Sequence, residues 1–141
     1  MAAKQLSFAS LEPKKEITSF TTDEITHAQI VRYAGASGDF NPIHNDPEFA
    51  KKMNLPGTIA HGMLVMGLIG RMISGYTDPK FVKNFNVKFV GMTTPGEAIT
   101  LSSVVKKIQE VDGKKLATIA VVAVGPDGKP KTKGDITVEC S

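Results

Sequence analysis

GMLVMGLIGRMIS, running from Gly62 to Ser74, is the stretch on which the fold turns. Met63, Leu64, Val65, Met66, Leu68, Ile69, Met72 and Ile73 make it apolar nearly all the way round, and a helix hydrophobic on every side is a buried one. It also carries Gly67 and Gly70, each of which lowers intrinsic helix propensity by about 1 kcal/mol. Glycines inside a buried helix make sense where a backbone, a strand or a ligand comes close. The stretch therefore predicts a central helix that other elements must cover.

The cover is written downstream. Phe85, Val87 and Phe89 alternate with Asn84, Asn86 and Lys88, the period-two pattern of a strand with one buried face. Strands rich in Val, Ile and Thr follow at Ala98 to Ile108, Leu116 to Val124 and Thr132 to Cys140, joined by the turns Asp112-Gly113 and Pro126-Asp127-Gly128. The C-terminal half reads as an antiparallel meander. Upstream, Thr21 with Glu24 three residues on is a capping-box pattern, and Ile25, Ala28 and Val31 follow at helical spacing. A helix is expected from about Thr22 to Ala34, ended by Gly35 to Gly38, and a second short one from Asp46 as N-cap with Pro47 at its first position. A buried helix followed by successive long strands is α+β architecture, with an antiparallel sheet curled round the helix. That arrangement is a hot-dog fold.

The length of 141 residues suits one domain, here expected over 1–141, and one active site. Hydrophobic residues are 41% and charged residues 22%, an ordinary globular composition. The formal charge is +3, and the lysines, among them Lys14, Lys15, Lys51, Lys52, Lys131 and Lys133, are scattered without interleaved aromatics. Three of the Lys-Lys doublets read as solvated strand or helix faces, so no nucleic-acid partner is expected. The single cysteine, Cys140, excludes an internal disulfide and lies too close to the C-terminus for a nucleophile. The opening MAAKQLSFASLEPKKE has no apolar signal core, and the apolar run Met63 to Ile69 is far short of the ~20 residues that span a bilayer. A cytoplasmic protein with no membrane partner is the expectation.

The informative segments are YAGASGDFNPIHNDPEFA, Tyr33 to Ala50, and IAHGM, Ile59 to Met63. Gly38, Asp39, Asn41, Pro42 and His44 resemble the glycine-aspartate-x-asparagine-proline-x-histidine core of MaoC-like hydratases and dehydratases, and the order of elements matches over essentially the whole chain. The resemblance implies that Asp39 and His44 form a catalytic dyad, that the Gly62 backbone N–H helps form an oxyanion hole, and that R-type products result. Some R-specific hydratases carry a serine where this chain has Gly67, so the group that orients Asp39 is left open.

The residue types suit that chemistry. Hydrating a 2-enoyl thioester needs a group to take a proton from water, one to return a proton to the α-carbon, and donors at the thioester oxygen as enolate charge develops. An aspartate is ordinarily ionised at neutral pH and a histidine mostly neutral, able to accept and donate, so one water can be held between them. Which of the two takes the proton stays open at this level. The first amides of a helix starting near His61 and Gly62 are unpaired and lie at its positive end. Asn41, His61, Met63 and Gly67 are the candidate substrate-facing residues, with Asn41 more a holder of the loop or of Asp39, and His61 more a cap or packing residue. His27 is expected at the surface.

No metal and no cofactor are expected. The substrate is expected to be an acyl thioester of coenzyme A, with acyl-carrier-protein thioesters the nearest alternative. A hot-dog thioesterase and a non-catalytic acyl-thioester-binding subunit are the other classes. An exposed sheet edge and a groove lacking a second wall point to a homodimer or to a heterodimer with a paralogous subunit.

Overall fold

The computed structural model describes residues 2–141. Its regular elements are β1 (Glu16–Glu24), α1 (His27–Ser37), α2 (Pro47–Lys52), α3 (Gly62–Tyr76), β2 (Val82–Phe89), β3 (Ala98–Val111), β4 (Lys114–Val124) and β5 (Pro130–Cys140). One five-stranded antiparallel sheet, in the order β1-β3-β4-β5-β2, packs one face against α3. Period-two alternation explains that contact. Ile99, Leu101 and Val105 of β3, Ile119 and Val121 of β4, and Ile136 and Val138 of β5 all point to one side and are buried. They meet Leu64, Val65, Leu68, Ile69, Met72 and Ile73 of α3 in one apolar cluster. Each such side chain contributes about 1.5–3 kcal/mol on burial, which offsets the low helix propensity of the glycines in α3. The β3–β4 hairpin closes through Asp112 and Gly113, both at positive φ (52° and 76°), as a two-residue turn between right-twisted strands requires.

Three expectations are corrected. The Thr21/Glu24 pattern does not cap a helix: residues 16–24, EITSFTTDE, form edge strand β1, where Phe20 lies opposite Leu101 and the Thr21 and Thr100 hydroxyls hydrogen-bond at 2.8 Å. β-branched residues and an open sheet edge outweigh a weak capping signal there. The cap is Thr26, whose Oγ1 accepts from the Gln29 amide at 3.0 Å, and α1 runs on through Gly35 to end at Gly38 in the left-handed region. The C-terminal half is also not a simple meander. Only β3, β4 and β5 follow one another in the sheet, while β2 crosses to the far edge and pairs with β5.

The third correction concerns α3, which is not buried all round. Met63, Gly67, Arg71 and Ser74 form an exposed stripe along it. A Cβ at Gly67 would meet nothing within 4 Å, and one at Gly70 only the Phe85 ring at 3.8 Å, so neither glycine answers to a close approach within this chain. The close approach falls elsewhere. At Gly134 on β5 a Cβ would run into the Asn86 carbonyl of β2. Lys131 of β5 is buried, 9% exposed, and ion-paired with Glu97 at 2.9 Å. No helix among the described residues is long and apolar enough to cross a membrane.

Candidate active site

The loop from α1 to α2 is shaped by its own short polar side chains. Ser37 Oγ accepts from the Asp39 amide, Asp39 Oδ1 from the Asn41 amide, and Asn41 Oδ1 from the Ile43 amide, each at 3.2 Å. Alternate residues thus each satisfy the backbone donor two places on, which is why Ser, Asp and Asn recur at period two in SGDFNPIH. Pro42 opens the short 3-10 turn Pro42–His44, and Asp46 Oδ1 then caps α2 through the Glu48 and Phe49 amides.

That turn sends His44 inward, where it is only 6% exposed. Its Nδ1 lies 2.7 Å from the Ile59 carbonyl, and the Ile59 amide donates back to the Ile43 carbonyl at 3.1 Å. A carbonyl only accepts, so Nδ1 carries a proton, and in the neutral tautomer this leaves the lone pair of Nε2 facing the site. Nε2 is 3.7 Å from Asp39 Oδ2. That separation is too long for a direct hydrogen bond but short enough for one water to donate to both acceptors. Asp39 remains about half exposed and open to a ligand.

His61 occupies the N-cap position of α3, yet its side chain makes no cap bond. The ring is 2% exposed, stacks on His44 with centroids 3.7 Å apart and planes at 22°, and receives the Tyr33 ring edge-on at 4.8 Å. Its Nε2 is 3.1 Å from the Asp39 carbonyl, whereas Nδ1 is buried without a partner. One ligand atom each from Asp39, His44 and His61 lies within 4.8 Å of the others, a grouping that resembles a metal site. The stacking argues against it. Imidazole lone pairs lie in the ring plane, and planes this nearly parallel cross far beyond the ~2.1 Å of a metal–nitrogen bond.

At the start of α3 the Leu64 and Val65 amides turn back to the His61 carbonyl, while among the described residues the Gly62 and Met63 amides reach no backbone acceptor. They form the positive end of a helix pointed into a cleft of about 540 Å³. Asp39, His44, His61, Gly62 and Met63 line one side of it, and residues 89–93 with Thr132 the other. A Cβ on Gly62 would stand 3.0–3.2 Å from the Phe89 ring, so here glycine does keep the wall open. Asn41 and Gly67 do not line the cleft. Asn41 holds the loop, and Gly67 faces outward on the exposed stripe of α3.

The second wall was not anticipated from the sequence, nor was the clamp behind it. Lys131 Nζ donates to the Met92 carbonyl at 2.7 Å, and Glu97 accepts from the Thr94 amide and hydroxyl. Partial burial pushes the Glu97 carboxyl up, but the Thr94 amide and Lys131 outweigh it and hold the group below its ordinary range. The Thr93 carbonyl of this wall accepts from the Ala60 amide at 2.7 Å, which joins it to the entry of α3. The wall's only forward signal was that Phe89 continues straight into VGMTTPG without a charged residue.

The model for the MaoC-like domain matches residues 8–125. The chain is 40% identical over 96 residues to the fatty acid synthase subunit beta of Schizosaccharomyces pombe, covering 64% of this chain and 4% of that protein. It is 32% identical over 90 residues to the peroxisomal enoyl-CoA hydratase 2 of Arabidopsis thaliana, covering 62% of this chain and 29% of the relative. The chain thus spans less than a third of the length of these curated relatives. The R-hydratase PhaJ1 of Pseudomonas aeruginosa superposes with a TM-score of 0.82 at 22% identity, over 96% of this chain and 86% of that one, a likeness of fold.

Proposed function

The chain belongs to the family of MaoC-like domains, and from that membership and the site geometry we propose that it is a hydro-lyase interconverting 2-enoyl and (3R)-3-hydroxyacyl thioesters. We take residues 1–141 as one catalytic unit and coenzyme A as the carrier, the carrier named for the plant relative. The observation that carries the reading is the pair of facing acceptors, Asp39 Oδ2 and His44 Nε2, 3.7 Å apart beside the open amide of Gly62. A water donating to both keeps its lone pairs free to attack C3. The Gly62 N–H binds the thioester oxygen as negative charge moves onto it.

Proton balance follows from the tautomer. Neutral His44 has its proton on Nδ1, tied to Ile59, and an Asp39 carboxylate has none, so neither presents a proton to C2 at the outset. The proton placed on C2 is therefore the one taken from water: O–H breaks, C3–O forms, and the carboxylate or imidazole passes the proton to C2 as the enolate collapses. Both additions come from the loop side of the enoyl plane, so hydration is syn. The apolar rim of Phe40, Met63, Phe89, Val90 and Met92, each 47–66% exposed, supports assembly into a homodimer or a paralogous heterodimer that closes the cleft.

The test is to incubate the purified protein with crotonyl-CoA, and in parallel with the crotonyl-carrier-protein thioester, following enoyl absorbance and free thiol together. Loss of absorbance without thiol release, with chiral analysis giving the 3R alcohol, is the expected result. Thiol release would make the protein a thioesterase, and a racemic product would break the one-face geometry.

A further inference from the structure

We infer that His61 is a positioning residue for the reaction proposed above: its Nε2–H ties the Asp39 carbonyl to the start of α3 and sets the Asp39–His44 pair against the Gly62 amide. The inference rests on that reaction. Its structural part is the hydrogen-bond arrangement around Asp39. The caps at Ser37 and Asn41 lie within two residues of Asp39, so they shape the loop without placing it in the fold. Farther along, the His44 and Ile43 bonds to Ile59 anchor the end of the loop. At Asp39 itself, among the described residues, the one hydrogen bond from a distant part of the chain is from His61, 22 positions on, at 3.1 Å. Gly62 is the next residue after His61, so a single side chain spans the two halves of the site.

The state of the ring follows from its partners. The Asp39 carbonyl only accepts, so Nε2 holds the proton and Nδ1 is left as an acceptor, buried and unpaired. Stacking on His44 and edge contact with Tyr33 would be served as well by phenylalanine, which fills similar space with no unpaired acceptor. Packing therefore does not account for an imidazole here, and the hydrogen bond to Asp39 does.

The experiment has two readouts on the intact protein. Nitrogen-15 NMR of the labelled imidazoles at neutral pH should find His61 protonated at Nε2 and bare at Nδ1. Steady-state hydration of crotonyl-CoA should then separate His61→Phe, which keeps the stack and loses the donor, from His61→Gln, whose amide nitrogen falls where Nε2 stood. The Phe variant should stay folded and lose roughly 10–100-fold in kcat with little change in KM, the scale expected of sub-ångström to ångström misplacement, and the Gln variant should recover most of that loss. His61→Asn, too short to reach the carbonyl, should match the Phe variant and replaces it if it does not fold. Full kcat in the Phe or Asn variant, a Gln variant as impaired as Phe, or the reversed tautomer would each overturn the role while leaving the reaction intact. A wild-type protein inactive on every enoyl thioester would instead overturn the reaction, and the role with it.

Discussion

Replacing Asp39 by asparagine separates chemistry from stability, because the two depend on different atoms of the same side chain. The amide oxygen can still accept from the Asn41 N–H, so the loop keeps its turn. What changes is the position facing His44, where an acceptor 3.7 Å from Nε2 becomes an N–H donor. A water can no longer give a proton to that side. The expected loss is roughly 10²–10⁴-fold in kcat, or about 3–5 kcal/mol of barrier, the usual share of a positioned acid or base. Stability should hardly move: the side chain is 52% exposed, and its contact with His44 is beyond hydrogen-bond length, so a change within about 0.5 kcal/mol is expected. That corresponds to a shift of a few degrees at most in Tm for a chain of this size. Enoyl-absorbance kinetics at saturating crotonyl-CoA and a thermal melt on one preparation make the measurement. A folded Asp39→Asn protein retaining a third or more of wild-type kcat would refute the dyad.

Glu97→Gln should destabilise the fold toward the low end of the ~3–5 kcal/mol of a broken buried pair, because Lys131 is left 9% exposed beside an uncharged partner. Since the folded Glu97 carboxyl sits below its ordinary range, its contribution is present above the unfolded carboxyl range and lost as pH falls through the folded value, so melts from pH 7 to 3 should be steeper for wild type than for the variant. Gly67→Ala should raise stability by up to about 1 kcal/mol in denaturant titration, since its Cβ enters open space on α3; destabilisation would mean that a second chain packs there. Light scattering should give about twice the chain mass, and a fully active monomer would remove the second chain from the cleft.

The core of the fold was readable because its signals were long. The run Leu64 to Ile73 and the strands from Ala98 to Cys140 repeat their pattern over many residues, and Asp112-Gly113 names its turn. β1 was not readable, since edge strand EITSFTTDE has one weakly buried face and carries a Thr and Glu that imitate a helix cap. The place of β2 depends on which edge of the sheet is free, a property of the whole sheet and not of Val82–Phe89. At the candidate site, Asp39, His44 and Gly62 were singled out by a motif order that resembles that of MaoC-like hydratases. The far wall, built from Val90, Met92, Thr93 and Thr132, did not, because those residues carry no chemistry in their identities and reach the cleft only through the sheet. Lys131 and His61 take their importance from burial, which a single side chain's identity does not announce.

The strand order has a consequence for how the molecule comes into being. The β3–β4 and β4–β5 hairpins join neighbours in the chain, but β1 reaches its place only by pairing Thr18 with Ser103 and Phe20 with Leu101, about eighty positions away, and β2 must find β5 across roughly fifty. Loop closure over such spans is slow compared with zipping a hairpin, so the three C-terminal strands are positioned to order early and the N-terminal half to dock onto them. Pulse-labelled hydrogen exchange during refolding would then protect amides of β4 before those of residues 39–44, and the reverse order would contradict it. On this route the part synthesised first is folded last, and the loop bearing Asp39 and His44 waits for the strands β3 to β5 that follow it.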